Sequence, residues 1–180
     1  MAYFILFFCI MPLVWGCSSN RIFIDKSYEH YQAANKSYRV NDVKYIPKKH
    51  DEIDCHHEER GIASWYTTKK YPKAITASGD IFNPNALTAA HRTLPFMSVV
   101  RITSLENNKT IDVIINDRGP FIKNRVIDLS EGAAKMLDFK HKGIVDVKIQ
   151  YLNKETQNLR DKIRLNSKRK KTNKAKCRNK

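Results

Sequence analysis

Residues 110–121 read TIDVIINDRGPF. The run from Thr110 to Asn116 is rich in β-branched residues and reads as a strand. The charged pair Asp117-Arg118 follows it directly, and Gly119 then Pro120 turn the chain there. Asp117 is therefore presented at a strand end, next to a cation. On local sequence alone it is either a turn aspartate satisfied by backbone amides or a functional carboxylate.

Working outward, Gly61 to Tyr66 (GIASWY) reads as a first strand, and Met97 to Thr103 (MSVVRIT) is another β-branched run. Glu106-Asn107-Asn108-Lys109 is a hairpin loop by composition. Arg125 to Leu129 is a short strand. Ile144 to Leu152 alternates with period two, with Val145, Val147, Ile149 and Tyr151 on one face. Helices are short: Ser130 is a good N-cap for Glu131 to Leu137, with Glu131 favourably placed in the first turn, and Asn85 to His91 reads as another turn or two. About six short strands with one or two helices would leave exposed edges unless the sheet closes, so a mainly β, six-stranded barrel over 61–152 is expected.

The flanks read differently. The formal charge is +15, unevenly spread. Residues 17–60 carry 8 basic and 8 acidic side chains, residues 61–152 carry 13 and 8, and residues 153–180 carry 12 and 2. Residues 18–60 lack a sustained period; Tyr28, Tyr31, Tyr38 and Tyr45 are scattered among polar residues, and a polar tether is expected. Residues 153–180 are expected to form a basic, disordered tail. Residues 3–16 (YFILFFCIMPLVWG) form an uncharged apolar run shorter than the ~20 residues a membrane span needs, which fits a secretory signal ending at position 16. Gly16-Cys17 after that run resembles the bacterial lipobox, in which the cysteine becomes the lipidated first residue of the mature chain. The cysteines, Cys9, Cys17, Cys55 and Cys177, include no CxxC pair and make no disulfide framework. Cys55-His56-His57-Glu58-Glu59 offers metal-ligand types, but adjacent residues cannot converge on one ion, and no metal or other cofactor is expected.

Two further polar clusters are Thr76-Ala77-Ser78-Gly79-Asp80 and Ala86-Leu87-Thr88-Ala89-Ala90-His91. Each is weak alone. In order along the chain, GIASWY, TASGDIF, ALTAAHRTLPFMSVVRIT, INDRGPF and RVIDLSEGAAKML resemble the rare lipoprotein A family. The resemblance implies a double-psi β-barrel and a lytic transglycosylase that cuts peptidoglycan glycan strands lacking stem peptides. It maps the acidic and imidazole functions onto Asp117, Asp80 and His91. Position 80 departs from the family, which usually has Glu there. Thr67 also departs, from a common Gly.

Cleaving a β-1,4 glycosidic bond needs a proton for the leaving oxygen and stabilisation of oxocarbenium-like charge. Asp117 is the expected acid and later base. Asp80 is the expected neighbouring carboxylate, and His91 the residue that hydrogen-bonds one of them or orients the sugar. Trp65 and Tyr66 alternate on a strand, so only one faces a groove, with Tyr66 the favoured stacking residue. Thr88, Arg118 and Arg125 complete the candidate substrate contacts, the arginines for the lactyl carboxylate. Arg118 is expected to point at substrate or backbone. A non-catalytic, glycan-binding lipoprotein is the rival reading. The resemblance and the signal together place the chain in the bacterial envelope, lipid-anchored and facing the periplasm. The partners expected are peptidoglycan, the membrane and, through residues 166–180, anionic envelope polymers. Nucleic acid is not among them.

Overall fold

The computed structural model describes residues 26–67 and 74–178. The signal, Cys17 and the first part of the tether lie outside them. Among the described residues no helix is long and apolar enough to cross a membrane.

Six strands form a closed barrel: β3 (Glu58–Tyr66), β4 (Thr88–His91), β5 (Val99–Ser104), β6 (Thr110–Asp117), β7 (Arg125–Ser130) and β8 (Ile144–Tyr151), ordered β3-β7-β4-β6-β5-β8 around the wall. Two pairs are parallel, β3 with β7 and β4 with β6, and the others are antiparallel. This is the double-psi arrangement that the sequence motifs imply. The core is the inner face of the wall, with Ala63, Val100, Ile102, Val113, Ile115, Ile127, Leu129, Val147 and Ile149 all buried. The one barrel strand misread from sequence is β4. All four of its residues are buried, so it has no polar alternation to betray a strand.

The helix α2 (Glu131–Met136) starts where expected. Ser130 caps it by accepting from the Ala133 amide at 3.2 Å, and its hydroxyl also donates to the Ala86 carbonyl at 2.5 Å. Gly132 lies so close to the 83–87 loop that a Cβ there would sit 2.8 Å from the Asn85 carbonyl. This close packing fixes the loop that leads into β4.

Both flanks are structured where they are described, which corrects the tether and tail readings. Upstream of the barrel are α1 (Tyr28–Ala34) and a hairpin of β1 (Tyr38–Val40) with β2 (Val43–Tyr45). Tyr31 is buried, and Ile53 joins the barrel core. Downstream, Asn153–Arg178 form one long helix, α3. Its seam is thin: Thr156, Leu159, Ile163 and Ser167 recur at helical spacing, and Ile163 packs with Tyr31, Met97 and Ile114. Two of those four seam residues are polar, so apolar periodicity alone misses the helix. Tyr28 clamps α3 to α1: its amide donates to Ser167 Oγ at 3.1 Å and its hydroxyl accepts from Arg160 at 2.7 Å.

Candidate active site

Asp117 closes β6. Its Oδ1 accepts from the Ala77 amide and from its neighbour Arg118's amide, both at 2.8 Å. Its Oδ2 has no hydrogen-bond partner among the described residues. Burial raises the carboxyl above the usual aspartate range, with the two amides and the Arg118 charge opposing the rise. Gly119 follows at a φ of +131°, a conformation that suits glycine, and lets the chain turn away. The turn-aspartate reading therefore accounts for one oxygen and leaves the other unbonded among the described residues.

Asp80 is placed differently. It is 8% exposed, and both of its oxygens are occupied. Oδ1 accepts from the Tyr31 hydroxyl at 2.8 Å and Oδ2 from the Ser78 hydroxyl at 2.7 Å. Its backbone closes a tight turn, the Thr76 amide donating to the Asp80 carbonyl at 2.9 Å. That turn carries the Ala77 amide that holds Asp117.

His91, at the end of β4, has a fully engaged ring. Nδ1 accepts from the Thr93 and Leu94 amides at 3.1 and 2.9 Å, so the proton sits on Nε2 and is donated to Glu59 at 3.1 Å. This bond holds the Glu59 carboxyl below its usual range. The imidazole meets neither Asp80 nor Asp117, which corrects the first of the two expected roles, because its nitrogens are taken by the 93–94 turn and by Glu59.

Arg118 points at backbone. It donates to the His91 and Leu94 carbonyls at 3.1 and 2.7 Å and to Asn35 Oδ1 at 2.5 Å, and its guanidinium lies 3.8 Å over the Phe96 ring. Burial lowers its pKa to about 10. Arg125 pairs with Asp128 at 3.0 Å.

Among the described residues, both expected stacking residues are engaged in packing. Trp65 packs against the core and donates to the Lys140 carbonyl at 3.1 Å. The Tyr66 ring lies 4.8 Å from Phe82 and its hydroxyl is buried. Thr88 is buried too, on a strand enclosed between β6 and β7.

Sequence reasoning missed Asp128. Ala90 pairs with Asp117 on one side and Asp128 on the other, so the two carboxylates flank a single methyl on one face of the wall. Burial raises Asp128, with Arg125 opposing the rise and the Asp117 charge adding to it. The same two aspartates, after burial itself, push the Tyr66 hydroxyl above the usual tyrosine range. The missed signal was register: on an enclosed strand, the sequence does not say which neighbours a small residue separates.

Asp117 opens into a groove of about 510 Å³. Phe96, Arg118, Ile75 and Phe121 line it, together with Lys36 and Tyr38 from the N-terminal segment. A second cavity of about 350 Å³ lies between Ser27 and α3, away from these carboxylates.

The fold is a closed double-psi barrel with a half-buried carboxylate at the end of β6 that lines a groove. The sequence pattern described as "Lytic transglycolase" matches residues 58–149, and the chain belongs to that family. It is 42% identical to the endolytic peptidoglycan transglycosylase RlpA of Rickettsia felis over 81% of this chain and 63% of that protein. It is 39% identical to the Rickettsia typhi protein of the same name, over 89% and 54%. It is also 40% identical to the one from Neisseria meningitidis serogroup B, over 71% and 52%. The chain thus spans about half to two thirds of the length of these curated relatives. Among solved structures, the Streptomyces papain inhibitor is similar with a TM-score of 0.46 and 22% identity, covering 56% of this chain and 99% of that one.

Proposed function

We propose that this chain is a lytic transglycosylase that cuts β-1,4 bonds of peptidoglycan glycan strands lacking stem peptides and leaves 1,6-anhydro-muramyl ends. The observation that carries this reading is Asp117. One oxygen is fixed by two amides, the carboxyl lines the groove, and burial favours the protonated form an acid needs. Protonated Asp117 donates its proton to the leaving glycosidic oxygen as the C1–O bond breaks. The resulting carboxylate then takes the proton of the muramyl 6-hydroxyl as O6 bonds to C1. No water is consumed, and Asp117 ends as it began. Asp128, across Ala90, supplies negative charge that stabilises the oxocarbenium-like state.

Asp80 and His91 support this chemistry by position. Asp80 holds the turn that presents the Ala77 amide to Asp117. His91 holds the 91–94 corner whose carbonyls seat Arg118. The Asp at position 80, where the family usually has Glu, is accommodated by Tyr31 and Ser78. That full engagement also favours the second reading, a domain that binds glycan without cutting it. Digestion of stem-peptide-free strands with mass analysis separates the two. Anhydro-ended fragments support the lyase, reducing ends point to hydrolysis, and intact strands with retained binding support the binder.

The same reading places the mature chain in the envelope, lipid-attached at Cys17, with its peptidoglycan substrate in reach. Eight of the residues from Lys154 to Lys171 are Lys or Arg and α3 lacks an apolar stripe beyond its thin seam, so its outer face suits anionic polymers or lipid headgroups. A mass measurement of the membrane-bound protein tests the anchor, and an unmodified Cys17 would overturn it.

A further inference from the structure

Part of the groove's lining comes from outside the family-matching region. Residues 34–45 precede position 58, yet they are bonded to residues around the site. Asn35 accepts from Arg118, and the Tyr38 hydroxyl donates to the Arg92 carbonyl at 2.8 Å. The Tyr38 and Tyr45 rings stack at 5.2 Å, and Phe121, two residues beyond Gly119, closes on both at 6.1 and 5.5 Å. This hairpin is thus fastened in place, beside Asp117 and leaving its groove open.

The electrostatics of the groove point to one residue. Arg118, the cation nearest Asp117 in sequence, spends its guanidinium on two carbonyls and Asn35. Lys36 lines the same groove, is exposed, and has no ion-pair partner among the described residues. From this we infer that Lys36 and the Tyr38–Phe121 edge form a glycan-binding subsite supplied by the N-terminal segment. The Lys36 ammonium pairs with the lactyl carboxylate of an unsubstituted muramyl unit, and the aromatic edge takes an apolar sugar face. The subsite reads the anionic character of the strand, while Asp117 does the chemistry. This rests on the glycan reading above and adds the specificity determinant.

The test uses the full chain carrying Asp117→Asn, so that binding is read without cleavage. Two ligands are titrated calorimetrically: stem-peptide-free peptidoglycan strands, which carry carboxylates, and a neutral β-1,4-linked N-acetylglucosamine oligomer. Adding Lys36→Gln is expected to weaken the charged strand about threefold to fivefold, the range of a solvent-exposed ion pair. It should leave the neutral oligomer unchanged and flatten the salt dependence of charged-strand binding, and Lys36→Arg should restore both. Tyr38→Ala, checked for an unchanged melting temperature, should weaken both ligands. Equal affinity and equal salt dependence for Lys36→Gln and its parent would overturn the subsite while leaving the glycan reading intact. Tighter binding by either variant would show that the segment excludes substrate, and would overturn the subsite too. Failure of the parent to bind either ligand would overturn both readings together.

Discussion

Asp117 and Asp80 are two aspartates joined by one turn, and they end in opposite states. Asp80 gives both oxygens to hydroxyls, from Tyr31 and Ser78. Asp117 gives one oxygen to two amides and keeps the other open. Burial raises the Asp117 carboxyl. A carboxylate's role follows from what its oxygens touch, and the sequence shows only that both are acidic. The open one can move a proton, and the closed one can hold a loop. The two are linked, because the turn closed by Asp80 carries the amide that fixes Asp117.

The sharpest way to break this contrast is substitution at both positions. Asp117→Asn keeps an oxygen for the two amides and removes the acid. Cleavage should fall by about a hundredfold to ten-thousandfold. Its stability should not fall with it. A carboxyl whose folded pKa is raised contributes stability that is complete below the unfolded pKa and is lost as pH rises through the folded value, so near neutral pH the charged aspartate is a cost. The melting temperature of Asp117→Asn at neutral pH should therefore equal or exceed that of the parent, by calorimetry. Asp80→Asn should behave in reverse, losing about 1–3 kcal/mol of stability as its hydroxyl partners go unmet. Its kcat should fall by no more than about tenfold, some 1.4 kcal/mol of barrier. If Asp80→Asn were as inactive as Asp117→Asn at a temperature where it is folded, the contrast would fail.

Smaller effects sharpen it. Tyr31→Phe removes one donor to Asp80 from a segment outside the family-matching region, and should cost about 1 kcal/mol in a urea titration. No change would mean that α1 does not support the turn. In the pH profile of kcat, activity should be lost as pH rises, because the acid form of Asp117 is required. That limb should lie above the pH of an ordinary aspartate, in the direction burial sets.

Much of the barrel was legible because its strands carry β-branched runs. Thr110 to Asn116 and Arg125 to Leu129 fall within one residue of β6 and β7. Asp117 was legible too, since a strand followed by Gly-Pro leaves its last side chain at an edge. What was not legible depends on contacts between distant segments. Asn85 to His91 resembled a helical turn because an enclosed strand shows no alternation. Trp65 and Tyr66 looked like sugar platforms, but one packs on the core and the other on Phe82, and the groove aromatics come from Tyr38, Phe96 and Phe121. The polar stretch from Tyr28 to Tyr45 looked like a tether because its ordering comes from single bonds to the barrel, such as Tyr31 to Asp80 and Asn35 to Arg118. Composition cannot report these.

The central claim is that Asp117 moves the proton in a water-free cleavage. The most direct measurement is mass analysis of the products released from stem-peptide-free glycan strands by the parent chain and by Asp117→Asn. The account predicts 1,6-anhydro-muramyl ends from the parent and none from the variant, with both still binding the strands. Reducing-end products from the parent, or anhydro products from Asp117→Asn at the parent's rate, would contradict it.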